Sequence, residues 1–385
     1  MNSNEPPEKS QPQSAQHFRL SVRIFAGLVC FIITVGCLEI GLRLWSFAMN
    51  TDITRLKDDT YRRLYSPEEL RWTEPPLSLQ ANPCVRRNLG GMRWDPRFGF
   101  ASKILNKACA KDLFKSGETK VVLLGGSTMD SALAPNYLTT IDHYAFGGDA
   151  SVVSINLAES GARLSNMLAR FLYEVIELRP NVTVFLVGPL EFTSIQYGGL
   201  PADDFYWTAG VSRRVHHPMM FFLDKAIEES KLAQALLIQT GIYPSARRTG
   251  KKIDLTLVDE AVDYYFRTQE NIEAICEHYA IKCIFILQPN ILVQSHLNAR
   301  DRLIVQVDLK NFPQDQEITS RGFALLKKGR DGNHLLDPSG LFEGVPDAYF
   351  DVVHLTKVGN ALLGKYIHDA VVQSVRKDEI RPLQH

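Results

Sequence analysis

The chain of 385 residues has no excess of charge of either sign: Lys+Arg 43 is matched by Asp+Glu 43, with no clustered basic stripe. Neutralising a phosphate backbone needs such a stripe, so nucleic acid is not an expected partner. The complete Gly-x-x-x-x-Gly-Lys-Ser/Thr pattern is missing, since Gly359-Asn-Ala-Leu-Leu-Gly-Lys365 is followed by Tyr366, and Gly-x-Gly-x-x-Gly does not occur, which argues against a phosphate- or dinucleotide-binding loop. No internal repeat is found. The six cysteines show no Cys-x-x-Cys spacing of the zinc kind. His216 and His217 are adjacent, cannot both face one metal from a helix, and have no carboxylate or cysteine at ligand spacing. Neither a metal nor a cofactor is therefore expected.

What is present is 45% hydrophobic content, the proportion of a globular protein. The length favours one large α/β domain with accessory segments. Residues 1–23 open with a Ser-, Gln- and Pro-rich stretch that reads as a disordered cytoplasmic tail. Ile24 to Leu38 is then an uncharged run of 15 residues, and pairing of Glu39 with Arg43 on one helix face extends the apolar segment to Trp45. A helix over 24–45 would measure about 33 Å, enough for a bilayer core of about 30 Å. Two readings compete. One is a single transmembrane anchor with Trp45 at an interface; the other is a cleaved signal peptide with Ser46-Phe47-Ala48 as its cleavage site. The long leader and the charges of Glu39 and Arg43 favour the anchor, and a buried core helix is the weakest option. Lys9, Arg19 and Arg23 before the span favour a cytoplasmic N-terminus and an exported main domain, although Arg43, Arg55 and Lys57 beyond it weaken that inference.

Cys30 and Cys37 fall in the apolar span as packing residues. In an oxidising compartment Cys84 can close onto Cys109 across a segment with little core of its own. Cys276 and Cys283 sit late in a helical pattern and early in a strand, which suits free buried thiols at least as well as a bridge.

Residues 46–118 read as a stalk and cap, with Trp94 to Phe100 as a turn carrying aromatic anchors. From Thr119 strand and helix patterns alternate. Strands are expected at Val121–Leu124, Ser151–Ile155, Val182–Val187 and Lys282–Leu287. Helices are expected around Pro135–Tyr144, over the Leu164, Met167, Leu168, Phe171, Leu172, Ile176 spacing, over Leu255–Tyr279, and from the N-cap Thr356 to about Ser374. Alternation of this kind predicts a parallel sheet with helices on both faces. Residues 196–252 interrupt it with Tyr-Gly-Gly, Phe205-Tyr206-Trp207 and an apolar stretch from Met219 to Ile238, and read as a helical lid insertion. A polar crossover follows the fourth strand, and 373–385 reads as a C-terminal tail.

The chemistry concentrates at two places. Ser127 follows a buried strand and the pair Gly125-Gly126, so its side chain can stand at the sheet's C-terminal edge, where open α/β folds place their ligands. By itself Gly-Gly-Ser-Thr is as readily a turn plus a helix cap. Asp351 and His354 stand three apart at the start of the last helix. A hydroxyl nucleophile needs a base, and an imidazole base needs a carboxylate to fix its tautomer. Ser127, His354 and Asp351 supply all three.

On these residues the chain resembles the SGNH (GDSL-like) hydrolase superfamily, over roughly Thr119 to Ala370. Gly125-Gly-Ser127-Thr is similar to its nucleophile block as found in a membrane-anchored bacterial branch, Asn156-Leu-Ala-Glu-Ser-Gly161 to its second block, Val187-Gly-Pro-Leu-Glu191 to its third by position, and Asp351-Val-Val-His354 to its last. The anchor, the Trp94–Phe100 turn and Leu287-Gln-Pro-Asn290 are similar to the anchored branch as well. The resemblance implies a three-layer flavodoxin-like fold (residues 119–372), with Ser127, Asp351 and His354 as catalytic triad and the N–H groups of Ser127 and Gly161 as oxyanion donors. One position departs: the third block's asparagine, itself an oxyanion donor, is replaced by Leu190, and loss of such a donor lowers turnover ~10²–10³-fold. Thr193, Ser194 and Gln196 follow closely as possible substitutes. The expected function is a membrane-anchored, periplasmic serine esterase or O-acyltransferase acting on small acyl esters. An acetylated glycan as substrate is implied by the resemblance alone. The alternative is a catalytically weakened SGNH-like binding or assembly protein of a cell-envelope polysaccharide system, which keeps the sheet and cleft but has lost efficient chemistry. Partner proteins are not readable from the chain.

Overall fold

The computed structural model describes residues 13–49, 83–87, 93–95, 97, 99–115, 119–130, 141–193, 195, 230, 232–233, 236, 253–329 and 335–379. Most of the 46–118 and 196–252 segments, including His216 and His217, therefore lies outside the described residues. By packing the chain divides into two units, one of residues 1–57 with 222–246, the other of 58–221 with 247–385.

In the first unit one helix, α1, runs Gln13–Met49, so regular structure begins inside the segment expected to be a disordered tail. Its stretch Phe25–Leu44 has a mean hydropathy of 2.2 and is long and apolar enough to cross a bilayer. Phe25, Phe31 and Ile32 are exposed, which sets aside the buried-core reading. Glu39 and Arg43 pair at 2.7 Å along the helix, as the spacing predicts. Glu39 also accepts hydrogen bonds from the Ser230 hydroxyl at 3.0 Å and the Leu232 N–H at 2.8 Å.

The second unit begins with two short antiparallel ribbons. Strand β1 (Val85–Arg87) and β2 (Arg93–Asp95) are followed by β3 (Gly99–Ala101) and β4 (Lys103–Leu105). β1 pairs with β4, and β2 pairs with β3, placing Trp94 opposite Phe100. Helix α2 (Lys107–Leu113) is capped by the Asn106 side chain. A disulfide joins Cys84 to Cys109 with Cα atoms 5.3 Å apart, as expected for a segment that needs stapling.

The parallel sheet follows: β5 (Thr119–Gly125), then the one-turn helix α3 (Ser127–Asp130), α4 (Ile141–Phe146), β6 (Val152–Asn156), α5 (Leu164–Arg170), β7 (Val182–Val187) and the one-turn α6 (Leu190–Thr193). After the insertion come α7 (Thr256–His278), β8 (Lys282–Leu287), α8 (Ala299–Asn311), α9 (Asp315–Lys328), β9 (Leu335–Leu336) and α10 (Lys357–Glu379). Strand order is β6-β5-β7-β8-β9, all parallel. Numbered along the chain this is 2-1-3-4-5, the flavodoxin-like order expected, with its switch point at β5.

Every residue of β7 is buried, the pattern of a strand covered on both faces. Val122, Leu124 and Phe185 point to one core layer with α5, α7 and α9; Val121, Leu123, Val184 and Leu186 point to the other, with α4, α8 and α10. In the first layer Phe171 meets Phe185 edge-to-face with centroids 5.7 Å apart, and Phe185 stacks on Phe285 at 4.9 Å.

Several expectations need correction. The polar crossover after β8 contains α8, α9 and a fifth strand: Ile304, Val305 and Val307 are buried from α8, and Ile318, Phe323 and Leu326 from α9. The helix expected around Pro135–Tyr144 is described only as Ile141–Phe146. The 164–176 pattern is α-helical only to Arg170 and continues as a π turn through Val175, ending at Arg179 in the left-handed region (φ 49°). α10 continues through Glu379, so residues 373–379 are helix and not tail. Finally, Cys276 and Cys283 form a second disulfide, Cα atoms 6.1 Å apart. Ala280, at φ 52°, reverses the chain between them and brings the helix end back to the start of β8.

Candidate active site

The loops that carry the sequence-selected residues all leave the carboxyl ends of the parallel strands. Gly125 closes β5, and the carbonyl of Gly126 accepts the first helical bond, from Asp130 N–H at 3.0 Å. This places Ser127 at the first position of α3, so its N–H lies outside the helical ladder. A Cβ on Gly125 would stand 2.6 Å from the Cβ of Met129, which is why the turn needs glycine there.

Asp351 and His354 lie in a tight loop just before α10 rather than on the helix. The loop is closed by Phe350 N–H donating to His354 O at 2.8 Å and by the bridge between Tyr349 and Leu355. Asp351 Oδ1 accepts from the N–H groups of Val353 (2.9 Å) and His354 (2.7 Å), an Asx-type turn that fixes its carboxylate. Thr356 then caps α10, its hydroxyl accepting from the Val358 and Gly359 N–H groups.

These two pieces of chain meet. His354 Nδ1 lies 2.6 Å from Asp351 Oδ2, and His354 Nε2 lies 2.7 Å from Ser127 Oγ. Ser127 and Asp351 thus flank the imidazole from opposite sides. An ionised Asp351 can only accept hydrogen bonds, so Nδ1 carries the ring proton toward Oδ2, which leaves the Nε2 lone pair toward the serine hydroxyl. Burial disfavours the charged form of His354, but the charge and hydrogen bond of Asp351 outweigh it, and the imidazole pKa is raised above its ordinary value. For Asp351 burial likewise acts against ionisation; the charge of His354, its side-chain bond and the two backbone N–H groups prevail and hold the carboxyl below its ordinary value.

Three residues that the sequence reading did not select hold the loop in place. Val353 O accepts from the Thr128 hydroxyl at 3.0 Å and from Gln288 Nε2 at 3.3 Å, while Ile291 N–H donates to Val352 O at 3.1 Å. Thr128 adjoins Ser127, and Gln288 directly follows β8, so the loop is gripped from the ends of two strands. Their positions within Gly-Gly-Ser-Thr and Leu-Gln-Pro-Asn were the available signal.

Gly161 is buried and adopts φ 77°, the left-handed region in which glycine is unstrained. Its N–H meets no backbone carbonyl among the described residues. The loop is braced by Arg163, fully buried, whose Nη2 donates to Glu191 O at 2.5 Å; Leu164 N–H donates to Glu191 Oε1 at 2.8 Å. Burial pushes the Glu191 carboxyl up, against the pull of Arg163. The segment after β6 and the turn after β7 are thereby tied together. Leu190, at the start of α6, directs its Cδ1 over the Gly126–Ser127 turn, 2.8 Å from where a Cβ on Gly126 would sit. Thr193 is half-buried at the end of α6, and Ser194 and Gln196 lie outside the described residues. Among the described residues no cluster of His, Cys, Asp and Glu fit to hold a metal is found.

No family model and no curated protein matches the sequence. Solved structures do: a GDSL-like lipase from Bacteroides thetaiotaomicron is similar at 15% identity and a TM-score of 0.35, over 70% of this chain and 97% of that one. An acetyl xylan esterase from Geobacillus stearothermophilus is similar at 14% identity and a TM-score of 0.34, over 66% of this chain and 95% of that one.

Proposed function

We propose that the chain is an exported serine esterase or O-acyltransferase that removes or transfers a small acyl group, with Ser127 as nucleophile, His354 as general base and Asp351 as its orienting carboxylate. The observation that carries this reading is the continuous hydrogen-bonded relay from Asp351 through His354 to Ser127. Ser127 Oγ attacks the ester carbonyl carbon while its proton passes to His354 Nε2. The N–H groups of Ser127 and Gly161 receive the developing oxyanion, and His354 returns the proton to the departing alkoxide. An acyl-serine remains; attack by water completes hydrolysis, and attack by a sugar hydroxyl completes transfer. An acetylated glycan is the substrate class in keeping with the motif resemblance. Two disulfides and a bilayer-length apolar helix support an extracytoplasmic, membrane-held location.

Leu190 favours a second reading, a binding or assembly protein that keeps the cleft, since an oxyanion donor is replaced by an apolar side chain over the turn. Turnover of short-chain p-nitrophenyl esters and fluorophosphonate labelling of the detergent-solubilised chain separate the two. The esterase reading expects both in wild type and neither in Ser127→Ala. A folded wild type that is unlabelled and inert would establish the binding protein.

A further inference from the structure

A group of charged side chains is buried next to the nucleophile turn without taking part in the relay. Lys103, on β4, is 6% exposed, and its ammonium lies 2.6 Å from Asp130 Oδ1, itself 1% exposed, and 3.4 Å from Asn156 Oδ1. Asp130 is the last residue of the single turn that begins with Ser127. Asn156 Nδ2 in turn donates to Met129 O at 3.0 Å, and Glu159 N–H donates to Gly125 O at 2.9 Å. The backbone of Lys103 is fixed on both sides: its N–H donates to Glu159 Oε2 at 3.2 Å, and its carbonyl accepts from Arg170 Nη2 at 2.8 Å. Arg170 is paired with Glu159 and Glu174.

Placing a lysine in a core is costly, and replacing a buried ion pair by apolar residues often does not reduce stability. A buried pair is therefore weak as a source of stability, and here it ends on the element that presents the nucleophile. We infer that Lys103 is a positioning residue for Ser127: it fixes the Ser127–Asp130 turn through Asp130, and the disulfide Cys84–Cys109 delivers it there. Cys84 directly precedes β1, which pairs along β4 with Arg87 opposite Lys103, and Asn106 N–H donates to Cys84 O at 2.8 Å, so opening the disulfide loosens the ribbon that carries the ammonium. Formation of this disulfide, in which the two thiols give up two protons and two electrons to a thiol-oxidising disulfide of an oxidising compartment, then completes the site. The inference rests on the esterase reading for its kinetic consequence, but not for its structural one.

Misplacement of a nucleophile by about 1 Å costs on the order of 10²-fold in rate. The test uses the full chain in detergent, well below its melting temperature, comparing wild type with Lys103→Met, Asp130→Asn, their double variant and Cys84→Ser/Cys109→Ser. Amide hydrogen exchange should quicken at 126–130 and 156–161 in Lys103→Met while α7 stays as in wild type. The rate of fluorophosphonate labelling and kcat should fall about 10–100-fold with KM little changed, and the double variant should lose no more than either single one. The cysteine variant should move the same amides and rates in the same direction. Unchanged exchange at 126–130 in Lys103→Met overturns the inference, as does labelling at the wild-type rate by folded Lys103→Met. A wild type that is never labelled, with exchange quickened as described, would sink the esterase reading and leave the positioning role supported.

Discussion

Asp351 divides its two oxygens between backbone and imidazole, Oδ1 serving the N–H groups of Val353 and His354 and Oδ2 serving Nδ1. Asp351→Asn keeps the shape of this turn but presents an amide that can turn its NH₂ toward Nδ1. The proton then moves to Nε2, which no longer accepts from Ser127, and kcat should fall about 10⁴-fold. The variant also removes the charge that raises the imidazole. Because His354 must be neutral to act as base, the wild-type kcat/KM should climb with pH through a midpoint above the ordinary 6.5. In Asp351→Asn burial is unopposed, and the midpoint of the residual activity should move to lower pH; a midpoint that stays put would show that Asp351 is not what sets it. Leu190→Asn places an amide where a methyl now lies over the nucleophile turn. Its effect should be a rise in kcat with little change in KM, smaller than the ~10²–10³ of a native donor because the site is shaped for an apolar side chain. Ester turnover read side by side in wild type and variant checks it, and a fall in kcat with intact folding would show that the leucine serves another purpose.

At the scale of elements, α10 and α4 approach closely at Gly364, where a Cβ would stand 2.6 Å from the Cβ of Tyr144 and 2.9 Å from its carbonyl carbon. Backbone cannot yield as a long side chain does. Gly364→Ala should therefore lose about 1–3 kcal/mol to overpacking, more than the ~1 kcal/mol gained from better helix propensity; denaturant melting gives the balance. The same scale explains what the sequence made legible. β7 and β8 were readable to the residue, because each is a mostly apolar run, broken only by Thr183 and opened by Lys282, between polar or turn-forming neighbours. β9, two residues long, carries no pattern. In α8 the apolar residues crowd into the middle, Leu303 to Leu309, between charged ends, and the helix surfaces as a signal only through its Asn298 cap. Of the site, the relay was legible because Ser127, Asp351 and His354 sit in short motifs. The Lys103–Asp130 pair was not, since a contact between a charge on a strand and one on a distant helical turn leaves no period in the sequence. Cys276–Cys283 escaped for a related reason: helix and strand were each readable, but the reversal at Ala280 that joins them was not.

Across the whole molecule, acid groups gather behind the relay. Asp308 on α8 has its carboxyl pKa pushed up to about 9, first by burial and then by the charge and hydrogen bond of Asp315, with Asp351 adding to it. Its folded pKa lies above the ordinary carboxyl value, so the folded state holds this proton more tightly than the unfolded one. The stability it contributes is whole below about pH 4 and is lost progressively as pH rises toward 9. Asp308→Asn should remove that loss: its melting temperature should match wild type near pH 4 and exceed it by roughly 2–4 °C at pH 8. An advantage that is the same at both pH values would rule out the titration of Asp308 as its cause.

The relay also joins residues 227 positions apart in the chain. A ribosome adding roughly 5–20 residues per second takes on the order of 10–45 s to pass from one to the other. For that interval the growing chain carries its serine with no imidazole to deprotonate it. On the esterase reading, reactivity toward esters therefore arrives in one step, when the loop before α10 reaches Ser127, and a chain that stops short of His354 lacks the relay.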